Sequence, residues 1–189
     1  MLSELRTEKR QLGVTLLEML ITLAIAAILL TVVAPNAQLI VKKNRIAATI
    51  NQTSGAFQFA RFSAIDQQAV SVICPSSDFA TCDNTNWDLP KIVFIDSNLN
   101  GNRDSTEALL FTTDAVDTSN NLTGPNITIA FDASGSASLA TNLLLCTEDN
   151  DATLARELRI SFQGRIKLSE DSDNDDVHED SSGDPLSCS

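Results

Sequence analysis

GVTLLEMLITLAIAAILLTVVAP, residues 13–35, decides how the rest of the chain can be built. From Val14 to Ala34 its 21 residues are apolar or small, apart from Glu18 and three threonines. As a helix rising about 1.5 Å per residue, the run reaches roughly 30 Å, one hydrocarbon core. A charged side chain at the centre of such a span costs about 2.5–3.5 kcal/mol, so one that is kept is a functional candidate. Glu18 lies one helical turn inside the run, close enough to an edge to reach water. A plain anchor with a tolerated edge carboxylate is therefore the simpler alternative.

The flanks argue for more than an anchor. A charged leader with Arg6, Lys9 and Arg10 ends in Gly13, and Pro35 closes the apolar run. An ordinary secretory signal has an apolar region of about 7–15 residues followed by a small-x-small site. This run is longer, Val32-Val33-Ala34 is a poor site, and Pro35 would follow the cut.

Gly13, then Val14-Thr15-Leu16-Leu17-Glu18-Met19-Leu20 and the apolar run, resembles the class III signal of type IV pilins and type II secretion pseudopilins. The resemblance implies that a prepilin peptidase cuts after Gly13, removes residues 1–13 and N-methylates Val14. Glu18 is then the fifth residue of the mature chain, where these families carry a glutamate. Val14 stands where they usually carry Phe. The families pair that glutamate with the terminal amine of a neighbouring subunit, which sets axial register in a filament. Physical chemistry agrees: a free α-amine is cationic near neutral pH. In a low dielectric a cation and a carboxylate are far less costly paired than alone. Residues 14–34 would serve first as a transmembrane anchor in the inner membrane and later as filament core.

With 189 residues, one anchored domain is the natural expectation. A hydrophobic fraction of 43% leaves enough for a core once the anchor is set aside. Net charge is −12, and the leader carries three basic and two acidic residues, so its removal leaves the chain slightly more acidic. Such a surface repels polyanions and weighs against nonspecific nucleic-acid binding. Cys74, Cys82, Cys146 and Cys188 all follow the apolar run. Their even number and placement point to an oxidising compartment and two disulfides. Three pairings are possible and sequence does not choose among them. Cys74–Cys82, a short local loop, with Cys146–Cys188 pinning the tail, is the favoured one. Free buried thiols are the alternative, and no CxxC or His-rich spacing supports zinc. Arg6, Lys9 and Arg10 before the run balance Lys42, Lys43 and Arg45 after it, so basic residues do not fix orientation. The cysteines and the leader place the C-terminal part outside the cytoplasm, in the periplasm.

Beyond Pro35, where a kink rather than a stop is expected, Ile46, Ile50, Phe57 and Ala64 recur at spacings of four and seven, with Ala60 beside them. That stripe suits a helix packed on a sheet, with Lys43, Asn44, Gln52 and Gln58 outward. Residues 35–66 thus continue the helix, and residues 67–189 form a β-rich domain. Candidate strands are 69–74, 91–95, 108–112, 126–131, 138–146, 157–162 and 165–168, each short and bounded by turn residues. One long helix followed by about seven strands reads as α+β, with an antiparallel sheet or sandwich. The tail from Ser169 to Ser181, SEDSDNDDVHEDS, reads as an acidic, disordered, solvated loop with one end fixed if Cys188 is bridged.

Val72-Ile73-Cys74-Pro75-Ser76, with Cys82 and Trp87 nearby and Ile92-Val93-Phe94-Ile95-Asp96 following, resembles the GspH/FimT family of minor pilins and pseudopilins. Asn98-x-Asn100-Gly101 and Arg159-Ile160-Ser161-Phe162-x-Gly164-Arg165 extend the resemblance over most of the chain. It implies a type IV pilin-like fold.

Three constellations could carry further chemistry. Asp96, Asn98, Asn100 and Glu107, with Gly101 between, match the calcium-loop pattern D-x-[DN]-x-[DN]-G-x5-E, and Asp104 sits where a water-mediated ligand often does. The flanks look like strands rather than the two helices of an EF-hand, so a polar hairpin loop is the plainer reading. Calcium is thus the one cofactor the sequence suggests, and none is required. Gly164-Arg165-Ile166-Lys167 resembles the Gly-Arg-x-Arg segment of FimT-like proteins from DNA-uptake pili, which makes Arg165 and Lys167 candidate DNA contacts. Lys167 lacks the fork geometry that suits phosphate, and no wider basic patch supports DNA. His178, the single histidine, is expected to be solvated rather than ligating. No P-loop, GxSxG or HExxH occurs, so the chain reads as a non-enzyme. The expected function is that of a minor pilin in type IV pilus assembly, in a tip or priming complex with other minor and major pilins. A type II secretion pseudopilin and a DNA-binding minor pilin of natural transformation are the alternatives.

Overall fold

The computed structural model describes residues 13–83 and 85–188, the side chains of residues 32–36 excepted. The expected leader, up to Leu12, lies outside the described residues. Helix α1, Leu16–Gln67, runs through two compact units, one reaching to Val41 and the other starting at Lys42.

In the first unit the helix begins at a cap. Thr15 Oγ1 accepts the Glu18 N–H at 3.2 Å, the usual role of a threonine ahead of a first turn. Apolar side chains then face every side: Leu16, Leu17, Leu20, Leu23, Ile25, Ile28 and Leu30 are all exposed. An amphipathic helix would bury one stripe, whereas one apolar all round needs surroundings that are apolar all round. Among the described residues no helix is long and apolar enough to cross a membrane. The fully described helical part of the run, Leu16 to Thr31, reaches only about 24 Å at 1.5 Å per residue.

In the second unit the same helix is amphipathic. Ile46, Ile50, Phe57, Ala60 and Ala64 are buried, while Lys43, Asn44, Gln52 and Gln58 are exposed. It stops where Gln68 takes a positive φ of 50° and the Ala69 N–H returns to Ala64 O at 3.2 Å, a C-terminal cap built without glycine.

Two antiparallel four-stranded sheets follow. The first has the order β3-β2-β1-β5, from β1 (Ser71–Pro75), β2 (Lys91–Ile95), β3 (Leu109–Thr112) and β5 (Ile129–Phe131). The second has the order β4-β6-β7-β8, from β4 (Asn120–Thr123), β6 (Thr141–Thr147), β7 (Arg156–Ile160) and β8 (Ile166–Leu168). The helix stripe, Ile73, Val93, Ile129 and Phe131 of the first sheet, and Leu143, Leu145, Leu158 and Ile160 of the second share one core. Trp87 stacks on Phe57 there and donates from Nε1 to Pro125 O at 2.8 Å. The opposite face of the first sheet is buried too: Val72, Cys74, Ile92 and Phe94 pack with Val70, Cys82 and Ala130. Burial on both faces explains why β1 and β2 read as unbroken apolar runs rather than alternating ones.

Two expectations need correction. The described residues form eight strands, not about seven, because β4 (NNLT) is too polar to show in sequence. It is held from outside itself: Asp88 Oδ1 accepts the Leu122 N–H at 2.6 Å, and Asn120 pairs with Thr147. The acidic tail is folded rather than disordered. Asp171 accepts the N–H groups of Asn174 and Asp176, and Asp180 those of Ser182 and Asp184. Glu179, 7% exposed, accepts both N–H and O–H of Ser172, and Glu179 bridges to Pro185. Backbone N–H groups do here what water was expected to do.

Candidate functional site

The N-terminal turn brings the processing and assembly candidates onto one short segment. Gly13 and Val14 lie exposed just before the helix, and Glu18 is exposed in its first turn. Thr15-x-x-Glu18 is also the sequence form of a capping box, a signal the sequence reading passed over. The Thr15 hydroxyl takes the orphan N–H of Glu18, which is half of such a box.

The cysteines pair as Cys74–Cys82 and Cys146–Cys188. The first ties the loop after β1 onto the outer face of the first sheet, where Cys82 packs on Val72, Ile92 and Phe94. The second joins β6 to the folded acidic tail, across a sequence separation of 42.

The Asp96–Glu107 loop is closed by its own hydrogen bonds. Asp96, 3% exposed, accepts from the N–H groups of Asn100 and Gly101, at 3.2 and 2.7 Å. Glu107 accepts from Ser97 and Asp104, at 2.7 and 3.0 Å. Asn98 Oδ1 and Asn100 Oδ1 take the N–H groups of Asn100 and Asn102, and both amide nitrogens donate to Asp104 Oδ2. Only the Asn98 and Asn100 amide groups, which donate to Asp104, would have to turn for a cation, since carboxylates that accept N–H groups keep further lone pairs. Carboxylates gather elsewhere: ligand oxygens of Asp171, Asp173, Asp175 and Glu179 lie within 4.8 Å of one another, the one such group of three or more among the described residues. Burial and the neighbouring Asp175 push the Asp173 carboxyl above the usual aspartate range.

His178 is half-buried beside this cluster rather than solvated as expected. Its Nδ1 lies 2.8 Å from Ser169 O, so the neutral ring donates there. Burial, then the Arg156 cation, lowers its pKa.

Arg165 immediately precedes β8 and Lys167 is its central residue, and the two line two depressions together. One, of about 350 Å³, includes Asn142, Arg159 and Ser161. Arg159 is already committed: it lies 2.9 Å from the Glu157 carboxylate and donates Nη2 to Glu179 O at 2.8 Å. The other, of about 460 Å³, lies between β8 and the helix, against Gln58, Arg61, Phe62 and Ile65.

The chain matches the family model described as type II transport protein GspH over residues 49–164, more than half of its length. Residues 9–34 match the prokaryotic N-terminal methylation motif. The chain therefore belongs to the GspH family of minor pilins and pseudopilins. In fold it is similar to crystal structures of the type IV minor pilin FimU of Pseudomonas aeruginosa. The P21 crystal form gives a TM-score of 0.56 at 20% identity, covering 77% of this chain and 96% of that one. The P65 form gives 0.53 at 20% identity, covering 76% and 99%. No curated protein matches the chain in sequence.

Proposed function

We propose that the chain is a minor pilin of a type IV pilus. It is inserted in the inner membrane through residues 14–34, with the β-rich unit in the periplasm. A prepilin peptidase cuts after Gly13 and methylates Val14, and the subunit joins other pilins in a tip or priming complex. The carrying observation is a capped helix, apolar on every side and unpartnered over Leu16 to Leu30, with one carboxylate in its first turn. Lipid can satisfy such a surface before assembly and sister helices afterwards. In the filament Glu18 needs a cation, and the amine freed at Val14 of a neighbour supplies one. The family is one of structural subunits, and no residue is assigned a catalytic role.

The family model's description favours a second reading, a pseudopilin of type II secretion. Deleting the chain separates the two: surface pili fall and protein secretion persists on the first, the reverse on the second. Within either machine, Glu18→Ala should leave membrane insertion intact and lower incorporation into sheared filaments at least tenfold. Normal incorporation would refute the amine–carboxylate pairing.

A further inference from the structure

Phe62 and Ile65 are 62% and 40% exposed on the helix, while Phe57, Ala60 and Ala64 on its core side are fully buried. The two apolar side chains form one wall of the groove whose other wall is Arg165, Ile166 and Lys167. Its base is tied together. Arg61 donates from Nε to Gly135 O at 2.9 Å and from Nη2 to Gln163 O at 3.5 Å, tying the β5–β6 turn closely and the β7–β8 turn more loosely to the helix. Gly164, at φ 70°, fits under that clamp only because it has no Cβ: one would strike Gly135 O and Arg61 Nε. The backbone beneath the groove is therefore closely packed, with Gly164 against Gly135 O.

Its charge is out of keeping with the molecule. On a chain of net charge −12, the other described arginines are occupied. Arg45 pairs with Asp117 and Arg159 with Glu157, while Arg61, Arg103 and Arg156 donate to backbone carbonyls. Among the described residues, Arg165 alone of the arginines has neither an ion pair nor a side-chain hydrogen bond, and Lys167 beside it is equally unengaged. β8 is also the edge strand of its sheet, so this wall ends in an unpaired backbone.

We propose that this groove docks an acidic, apolar segment of a neighbouring filament subunit, a reading that rests on the filament role above. An apolar side chain of the partner covers Phe62 and Ile65, and one or two carboxylates meet Arg165 and Lys167. Arginine suits this task because its planar fork takes a carboxylate through two parallel bonds. A nucleic acid fits less well: backbone-driven binding draws on many phosphate contacts, and here two cations stand in an acidic surface with an aliphatic wall.

The test uses the full chain in the cell, with a photoreactive benzoylphenylalanine replacing Phe62 and, in a separate strain, Leu23 of the apolar run. Irradiated filaments should give a Phe62 adduct to another subunit, attached within four residues of an Asp or Glu. The double variant Arg165→Glu, Lys167→Glu should lower that adduct at least fivefold and leave both the Leu23 adduct and the thermal melt unchanged. An adduct to nucleic acid, an adduct to a peptide without carboxylates, or indifference to charge reversal overturns the proposal. So does the absence of a Phe62 adduct where Leu23 still cross-links, in which case the filament reading stands. If Leu23 fails to reach another subunit as well, both fall.

Discussion

The helix from Leu16 to Thr31 and the β-rich unit from Lys42 onward differ in where their stability comes from. The first exposes leucine and isoleucine on every side, and among the described residues it finds no core to enter. The second buries one face of the same helix and both faces of its first sheet, ties down an acidic loop through hydrogen bonds and the buried Glu179, and adds two disulfides. One region is completed from within the chain, and for the other the described residues supply no such core. A single helix thus carries two different designs, and its sequence changes period where one gives way to the other. Upstream the apolar residues are continuous; downstream they return every three or four positions.

If that division is right, changes in the β-rich unit should alter its melting without altering membrane insertion. The largest effect belongs to Cys146–Cys188. Closing a loop of separation 42 stabilises by about 4 kcal/mol in the chain-entropy account, against about 2.5 kcal/mol for the separation of 8 at Cys74–Cys82. Paired Cys→Ser variants compared by denaturant melts should show that order; equal losses would mean that the tail is held by its hydrogen bonds alone. Gly164→Ala comes next, at about 3 kcal/mol, because it adds left-handed strain to a backbone collision with Gly135 O. A loss under 1 kcal/mol would show that the β7–β8 turn can yield, and the close packing beneath the groove would go with it.

The smallest effect is a gain. Lys91 is 1% exposed, and burial pulls its pKa down to about 8 against the weaker opposing pull of Asp88. Lys91→Met should stabilise the unit at pH 7 by on the order of 2 kcal/mol. The folded pKa lies below the ordinary 10.5, so between about 8 and 10.5 the unfolded chain binds more protons. Wild-type stability should therefore rise relative to Lys91→Met as pH climbs through that window. A constant difference between the two melts across it would show that Lys91 keeps its proton on folding.

Much of this was legible in sequence for reasons that the structure makes plain. Ile46, Ile50, Phe57 and Ala64 announced the buried helix face because four- and seven-residue spacings put them on one line. β1 and β2 announced themselves because a sheet covered on both sides needs apolar residues at every position. β4 did not, since Leu122 is its one apolar residue and the strand is held in place by Asp88 and by pairing with β6. The acidic tail misled for a related reason: its carboxylates cap nearby N–H groups, which composition alone cannot reveal. Strand order was out of reach as well, because β5 pairs with β1 across more than fifty residues. At the N-terminus Gly13, Val14 and Glu18 could be picked out from one short motif. The docking groove could not, because Phe62 and Lys167 meet only once the helix and β8 are packed together.

The N-terminus of the exported protein tests the central claim most directly. Intact mass and terminal-peptide sequencing of protein recovered from membranes and filaments should find a chain that begins at Val14 with a methylated amine. A chain that still carries residues 1–13, or that was cut anywhere else, would leave Glu18 without its partner and contradict the assembly of this helix from outside.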